Sequence, residues 1–274
     1  MKSNDRYRQM RRSVRGVGPL GSARARVMAV AVALLLAAGG VDSGLAAEAT
    51  SAPGRMTRLL VVTGGHDFET NQFFQMFKDM PAASFQTATH AQAHDWLKPE
   101  AARAYDVLVL YDMWQDITDE AKSNFVARLQ EGKGLVILHH AIANYQKWPE
   151  YERVLGGRYY LQKTMVGGVE KARSIYQHGV HFRVRVLNSS HPVTVGVSDF
   201  EIHDETYNLY DVAPDAERLL GTDEPTSARV IGWAHAYAKA RVVYLQGGHD
   251  HFAYENPAYR RLLANAVHWT AWGK

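Results

Sequence analysis

The stretch RLLVVTGGHDF, residues 58–68, decides how this chain is read. Leu59 to Val62 form a continuous apolar run, the length and character of a strand buried on both faces. Gly64-Gly65 and then His66-Asp67 follow at its end. The same order recurs twice. GKGLVILHHA (residues 132–141) ends its apolar run in His139-His140, and ARVVYLQGGHD (residues 240–250) ends in His249-Asp250, with His251 next. In an open α/β sheet, ligands bind outside the carboxyl ends of the strands. Three strands that each deliver an imidazole to that edge define one polar pocket made from distant segments.

Between these runs the apolar period becomes helical. Thr70–Met80 places Phe73, Phe74, Phe77 and Met80 on one face, and Pro81 stops it. Ser84–Thr89 reads as a second strand, Pro99–Ala104 as a short helix and Tyr105–Asp112 as a third strand. Thr118 caps a helix that has Asp119 and Glu120 in its first turn and Phe125, Val126 and Leu129 on one face. Leu135–Leu138 is the fourth strand. Strands alternating with helices define an α/β protein with a parallel sheet covered on both sides. The second half differs. Val180–Leu187 alternates with period two, and Phe200–Tyr210, Arg218–Gly221, Val230–Ala236 and Arg241–Gln246 are further strands. The last two are joined as a hairpin through residues 237–240. Pro257–Trp272 is an amphipathic helix whose stripe is Leu262, Leu263, Ala266 and Trp269.

The chain has 274 residues and no cysteine, which excludes thiolate chemistry. Arg11, Arg12, Arg15, Arg24 and Arg26 precede the apolar run Val27–Ala38, and small residues follow from Ser43 to Ala47. That order spells a secretory signal over residues 1–47, cleaved after Ala47, with residues 48–57 as a linker and 58–274 as the folded domain. An uncleaved anchor and a later start at Met28 are the alternatives. Arg11-Arg12-Ser13-Val14 is a loose match to a twin-arginine signal. Eight of the 31 Lys/Arg but only two of the 28 Asp/Glu lie in residues 1–47, so the remainder carries a net charge of −3. An exported protein in the periplasm or outside the cell is expected, free of the membrane once the signal is removed. The acidic remainder argues against a nucleic-acid partner.

The motifs GGHDF (64–68), YDVLVLYD (105–112), GKGLVILHHA (132–141), HPVTVG (191–196), FEIHDETYNLY (200–210), VIGWAHAYAKARVVYLQGGHD (230–250) and NPAYRRLLANAVHW (256–269) occur in an order and spacing that resembles the ThuA-like (trehalose utilisation) family. The resemblance implies a flavodoxin-like, class I glutamine amidotransferase-like fold. That fold is a three-layer α/β sandwich with a mainly parallel sheet and late antiparallel strands. It also implies a link to disaccharide metabolism, including oxidised 3-keto sugars. The amidotransferase relatives place a nucleophilic cysteine on the turn after the strand equivalent to Leu135–Leu138. Here that turn reads His139-His140-Ala141, so a cysteine-dependent glutaminase is not expected.

The expected catalytic residues are His249, Glu205 and His140. His249 falls where the amidotransferase relatives keep their general base, as the resemblance implies, and the resemblance also favours Glu205 and Tyr207. His140 is preferred over His139 because adjacent side chains on a strand face opposite ways, leaving His139 as an interior histidine. His66, Asp67, Tyr207, His235 and His251 are the expected substrate-binding residues. His66, His140 and His249 are the expected ligands of a divalent metal, zinc first, since imidazole suits transition metals. Trp114 and Trp148 are read as sugar-stacking or core aromatics. His90, His94, His178, His181 and His268 have no supporting context and are read as surface or core residues.

Three readings of function follow. One is a carbohydrate enzyme using acid–base chemistry, with or without a metal, for isomerisation, elimination or hydrolysis of a (3-keto-)disaccharide. Another is a binding module that presents a sugar to a partner oxidoreductase. The last is a metal-dependent hydrolase of a non-sugar substrate.

Overall fold

A computed structural model describes residues 55–273. The expected signal, residues 1–47, and most of the expected linker lie outside the described residues. Thr57, the linker's last position, already belongs to the first strand.

The first half follows the α/β alternation. It runs through β1 (Thr57–Gly64), α1 (Thr70–Lys78), β2 (Ala83–Thr89), α2 (Ala93–Trp96), β3 (Val107–Asp112), α3 (Asp119–Gln130), β4 (Gly134–Leu138) and α4 (Pro149–Leu155). Pro99–Ala104 is not an α-helix; a 3-10 turn covers Ala101–Ala104. Three features had no periodic signal: α4, which opens with Pro149 after Trp148, the two-residue β5 (Gly157–Arg158), and the hairpin of β6 (Thr164–Val166) and β7 (Val169–Lys171). The second half holds β8 (Ile175–Val186), β9 (Phe200–Asn208), β10 (Asp211–Val212), β11 (Glu217–Gly221), β12 (Val230–Tyr237) and β13 (Ala240–Leu245). It closes with α5 (His251–Tyr254) and α6 (Pro257–Trp272).

Nine strands form one sheet in the order β2-β1-β3-β4-β13-β12-β11-β8-β9. The pairs from β2 to β13 are parallel, and those from β13 to β9 are antiparallel. The parallel half has the flavodoxin-like order, with its switch point between β1 and β3. Each central strand is buried on both faces, which is why its sequence is continuously apolar rather than alternating. Leu59 and Val61 join the core with α1 and α6, while Leu60 and Val62 join the core on the opposite face with α3 and α4. On α6, Asn256 caps the start by accepting from Ala258 N and Tyr259 N, and Leu262, Leu263 and Ala266 are buried as expected. Trp269 is only half-buried.

At the carboxyl end of β3, Asp112 is fully buried. Its Oδ2 accepts from Asn144 Nδ2 at 2.6 Å and from the Tyr145 hydroxyl at 3.4 Å, while Oδ1 has no partner. Burial pushes its carboxyl up to about 7. His90 Nε2 stands 3.8 Å away, but burial and neighbouring His94 push that imidazole down to about 4, so it offers no countercharge at neutral pH. Because the folded value of Asp112 lies above the unfolded one, the unfolded chain sheds this proton first. Stability is therefore lost as pH rises through roughly 4 to 7, by about 1.4 kcal/mol per pH unit. Asp112→Asn keeps the acceptor that faces Asn144 and removes the titration. Urea denaturation of both proteins at several pH values should show the variant gaining steadily on the wild type, up to about 4 kcal/mol by pH 7. A difference independent of pH would contradict the buried, proton-holding acid.

Candidate functional site

The carboxyl ends of β1, β4 and β13 are neighbours in the sheet with β3 among them, and the three histidine-bearing turns meet there. The pivotal turn follows β4. His139 opens a 3-10 turn over His139–Ala143 with φ of 51°, a left-handed conformation unusual for a residue with a side chain. Its Nδ1 donates to Gln246 O at 2.8 Å, which leaves Nε2 as the ring nitrogen facing the centre. Around that nitrogen stand the Tyr207 hydroxyl at 2.9 Å, Glu205 Oε2 at 3.0 Å and His249 Nδ1 at 3.3 Å. His249 Nδ1 is 3.4 Å from the same Glu205 oxygen. These three side chains form the cluster able to hold a metal ion among the described residues.

The charge state follows from these contacts. Burial would raise the Glu205 carboxyl, but hydrogen bonds and charge from His139 and His249 override it and hold the group well below the usual carboxylate range. Burial would lower His249, yet Glu205 outweighs it and raises the imidazole. Tyr207 is buried and its phenol is pushed well above its ordinary value, first by desolvation and then by Glu205. It therefore remains a donor, aimed at His139.

The turn carrying His249 is fixed on every side. Asp204 accepts from Gly248 N at 2.8 Å and His249 N at 3.0 Å. The hydroxyls of Tyr259, Tyr111 and Tyr254 donate to the carbonyls of Gly247, Gly248 and His249. Asp204 reads in the sequence as an ordinary acid, but it is buried and its pKa is raised by desolvation. Its role is to position His249, which no sequence spacing reveals.

The structure revises the sequence reading at several positions. His139, not His140, joins Glu205 and His249. The expected alternation assumed an extended chain, whereas the left-handed turn swings His139 into the centre. His140 is buried against Tyr111 and His66, with ring centroids at 4.4 Å and 4.9 Å, and neither ring nitrogen has a partner. Desolvation and neighbouring imidazoles push it well below its ordinary value. His66 lies at the exposed rim, 6.0 Å ring to ring from His249, lowered by desolvation and then by His139. Of the expected metal set His66, His140 and His249, only His249 belongs to the cluster that could hold an ion, which it forms with His139 and Glu205, while His66 and His140 stand alongside.

His235 is not at this edge. β12 runs antiparallel to β13, so its end lies at the other side of the sheet, with His235 opposite Val242. The rule linking ligands to carboxyl ends applies to the parallel strands only. His235 Nε2 donates to Arg153 O of α4 at 2.9 Å. His251 turns outward and pairs with Glu69 at 2.8 Å, and Asp67 is exposed beside His66. Asp250 caps α5 by accepting from Phe252 N. Conversely, His178 reaches Glu205 Oε1 at 3.0 Å, its ring 4.7 Å from that of His249. A bulge between Gln177 and Val180, with Gly179 at φ of 66°, breaks the period of β8 and delivers this histidine.

The fold is a nine-stranded α/β sheet with an imidazole–carboxylate cluster at the carboxyl ends of its parallel strands. Residues 58–270 match the ThuA family, described as trehalose utilisation, and the chain belongs to that family. A ThuA-like protein from Parabacteroides merdae is similar at 18% identity and a TM-score of 0.67, with 80% of this chain and 91% of that one covered. One from Bacteroides uniformis is similar at 22% identity and a TM-score of 0.62, covering 81% and 94%. A cytoplasmic protein from Salmonella typhimurium LT2 follows at 13% identity and a TM-score of 0.55, covering 79% and 100%. These likenesses concern the fold. No protein of curated function matches the chain.

Gly248 gives a direct test of how tightly the centre is built. Its φ is 123°, and a Cβ there would stand 2.7 Å from the Tyr259 hydroxyl. Gly248→Ala should lower stability by about 1–3 kcal/mol in urea titration. The exposed His268→Ala should change it by less than about 0.5 kcal/mol. Equal stabilities would refute the close approach.

Proposed function

We propose that this protein is a metal-dependent enzyme acting on carbohydrates, with its centre at His139, Glu205 and His249. The observation that carries the reading is the convergence of His139 Nε2, His249 Nδ1 and Glu205 Oε2 within 3.0–3.4 Å of one another. Ligands of a tetrahedral zinc, about 2.0–2.1 Å from the metal, stand about 3.3–3.4 Å apart. His139 Nε2 and the Glu205 carboxylate face each other at 3.0 Å, so a proton or a cation belongs between them. Two imidazoles and one carboxylate are also the donor set of a catalytic zinc with one position open. The bond from His139 Nδ1 to Gln246 O supplies the outer contact that orients a metal-ligating histidine.

His139, Glu205 and His249 would hold the metal, which would supply Lewis-acid polarisation of a carbonyl or hydroxyl oxygen of the sugar. The chain's own groups do the rest. Tyr207 holds its proton and donates toward the centre. With Glu205 and His249 both within the cluster, the base role assigned to them from the sequence passes to His66, exposed at the rim. His178 holds the second oxygen of Glu205. Such a site suits isomerisation, elimination or hydrolysis beside a keto group. The carbohydrate assignment draws support from the family's description, trehalose utilisation. The basic, then apolar, then small-residue leader supports export to the periplasm or beyond, and a sugar oxidoreductase is the class of partner that would supply a keto sugar.

Elemental analysis of protein purified without chelators should find about one equivalent of zinc or another divalent transition metal. His139→Ala and His249→Ala should lower metal affinity at least about tenfold, while His140→Ala retains it. Turnover of a 3-keto disaccharide should disappear with the metal. Wild-type protein that neither contains nor takes up a divalent metal would remove the metal reading.

A further inference from the structure

We propose that Trp114 is a wall of the substrate site, its indole held outward to receive the apolar face of a sugar ring beside His66. The inference rests on the carbohydrate reading above. Of the chain's six tryptophans, Trp233 is buried and Trp96, Trp148, Trp269 and Trp272 are half-buried. Trp114 is 58% exposed. Burial is the ordinary reward for so large an apolar side chain, and here it is forgone.

The backbone makes the exposure harder to attribute to chance. Trp114 has φ of 54°, a conformation that a bulky residue adopts only when its surroundings impose it. They do so on both sides. Met113 N donates to Gly64 O at 2.9 Å, and Gln115 N donates to Asn144 Oδ1 at 2.8 Å. The Gln115 amide donates to Met113 O at 2.7 Å. The residue between them is thereby turned outward.

The clamped segment adjoins the candidate centre. Trp114 follows the carboxyl end of β3, the ligand-binding edge of the sheet. Gly65, one residue before His66, lies so close to it that a Cβ would collide with Met113 O and the Gln115 amide. Asn144 directly follows the 3-10 turn opened by His139. Residues 113–115 thus touch two of the three turns that carry the imidazoles, those after β1 and β4. Small-molecule sites combine aromatic walls with a few placed polar groups. A pyranose offers both a face of C–H bonds for the indole and hydroxyls for the imidazoles.

Trp114→Gly and Trp114→Phe test this against trehalose, its 3-keto derivative and glucose, with calorimetry for affinity and thermal melting for stability. Glycine relieves the left-handed strain, so Trp114→Gly should melt roughly 2–4 °C higher than wild type. It should also bind the preferred sugar at least about fivefold more weakly, the order of one lost aromatic contact. Trp114→Phe should retain most of the affinity. In wild type, bound sugar should shield tryptophan fluorescence from iodide, and Trp114→Phe should lack that protectable fraction. Wild-type affinity in Trp114→Gly would overturn the proposal while leaving the carbohydrate reading intact. Weaker binding together with a lower melting temperature would make Trp114 a structural residue and overturn it too. If wild type binds none of these sugars, the carbohydrate reading fails, and this inference fails with it.

Discussion

The hydrogen bond from His139 Nδ1 to Gln246 O is the contact on which the centre depends. It joins the end of β4 to the end of β13, two strands that the sheet places side by side but that lie about a hundred residues apart in sequence. It also decides what the histidine can do. With Nδ1 committed to a carbonyl, Nε2 is the ring nitrogen left free, and there Glu205, His249 and Tyr207 converge. The left-handed turn that permits this costs about 1–2 kcal/mol for a residue with a side chain. Trp114 and Tyr145 are also left-handed and flank the same edge. Strain gathered at one edge of a sheet is what a built site requires, since a relaxed chain would let these side chains splay into solvent.

The surrounding polar network shows why the centre stays put. Asp204 takes the amides of Gly248 and His249, and three tyrosine hydroxyls take the carbonyls of residues 247–249. A turn at a sheet edge would ordinarily have its backbone groups in water. Here almost every one is met by a side chain from β3, β9, α5 or α6, so His249 inherits the rigidity of the whole sheet. Glu205 is buried with three imidazoles around its two oxygens, and those of His139 and His249 hold its carboxyl well below the usual carboxylate range.

What the sequence made legible was governed by regularity. Continuous apolar runs marked the buried parallel strands, and residues at their ends, His66 and His249, lay at the edge the runs predicted. Glu205 and Tyr207 were legible through the motif they share. Departures from regular geometry hid the rest. His139 was discounted because alternation presumes an extended chain, and the chain turns left-handed at that residue. His178 has no supporting context in the sequence because it precedes the alternating run Val180–Leu187, and only the bulge in β8 delivers it to the site. His235 was favoured because strand direction cannot be read from an apolar run, and an antiparallel strand ends at the wrong edge. Asp204 carried no signal because its partners are backbone amides distant in sequence.

The same argument explains what the turn after β4 can do. That turn holds His139, in a chain with no cysteine. Its sharp backbone forces one side chain into the pocket, whatever that side chain is. A thiolate held there attacks a carbonyl. An imidazole held there, anchored at Nδ1 and facing a carboxylate, is a weak nucleophile but a good ligand and hydrogen-bond partner. The residue at that one strained position therefore decides whether the turn offers a covalent nucleophile or a ligand and hydrogen-bond partner. The scaffold of strands, turns and tyrosine hydroxyls is the same for either residue, so the fold by itself leaves the chemistry undetermined; residues 139, 205 and 249 add to it a donor set that could hold a metal ion.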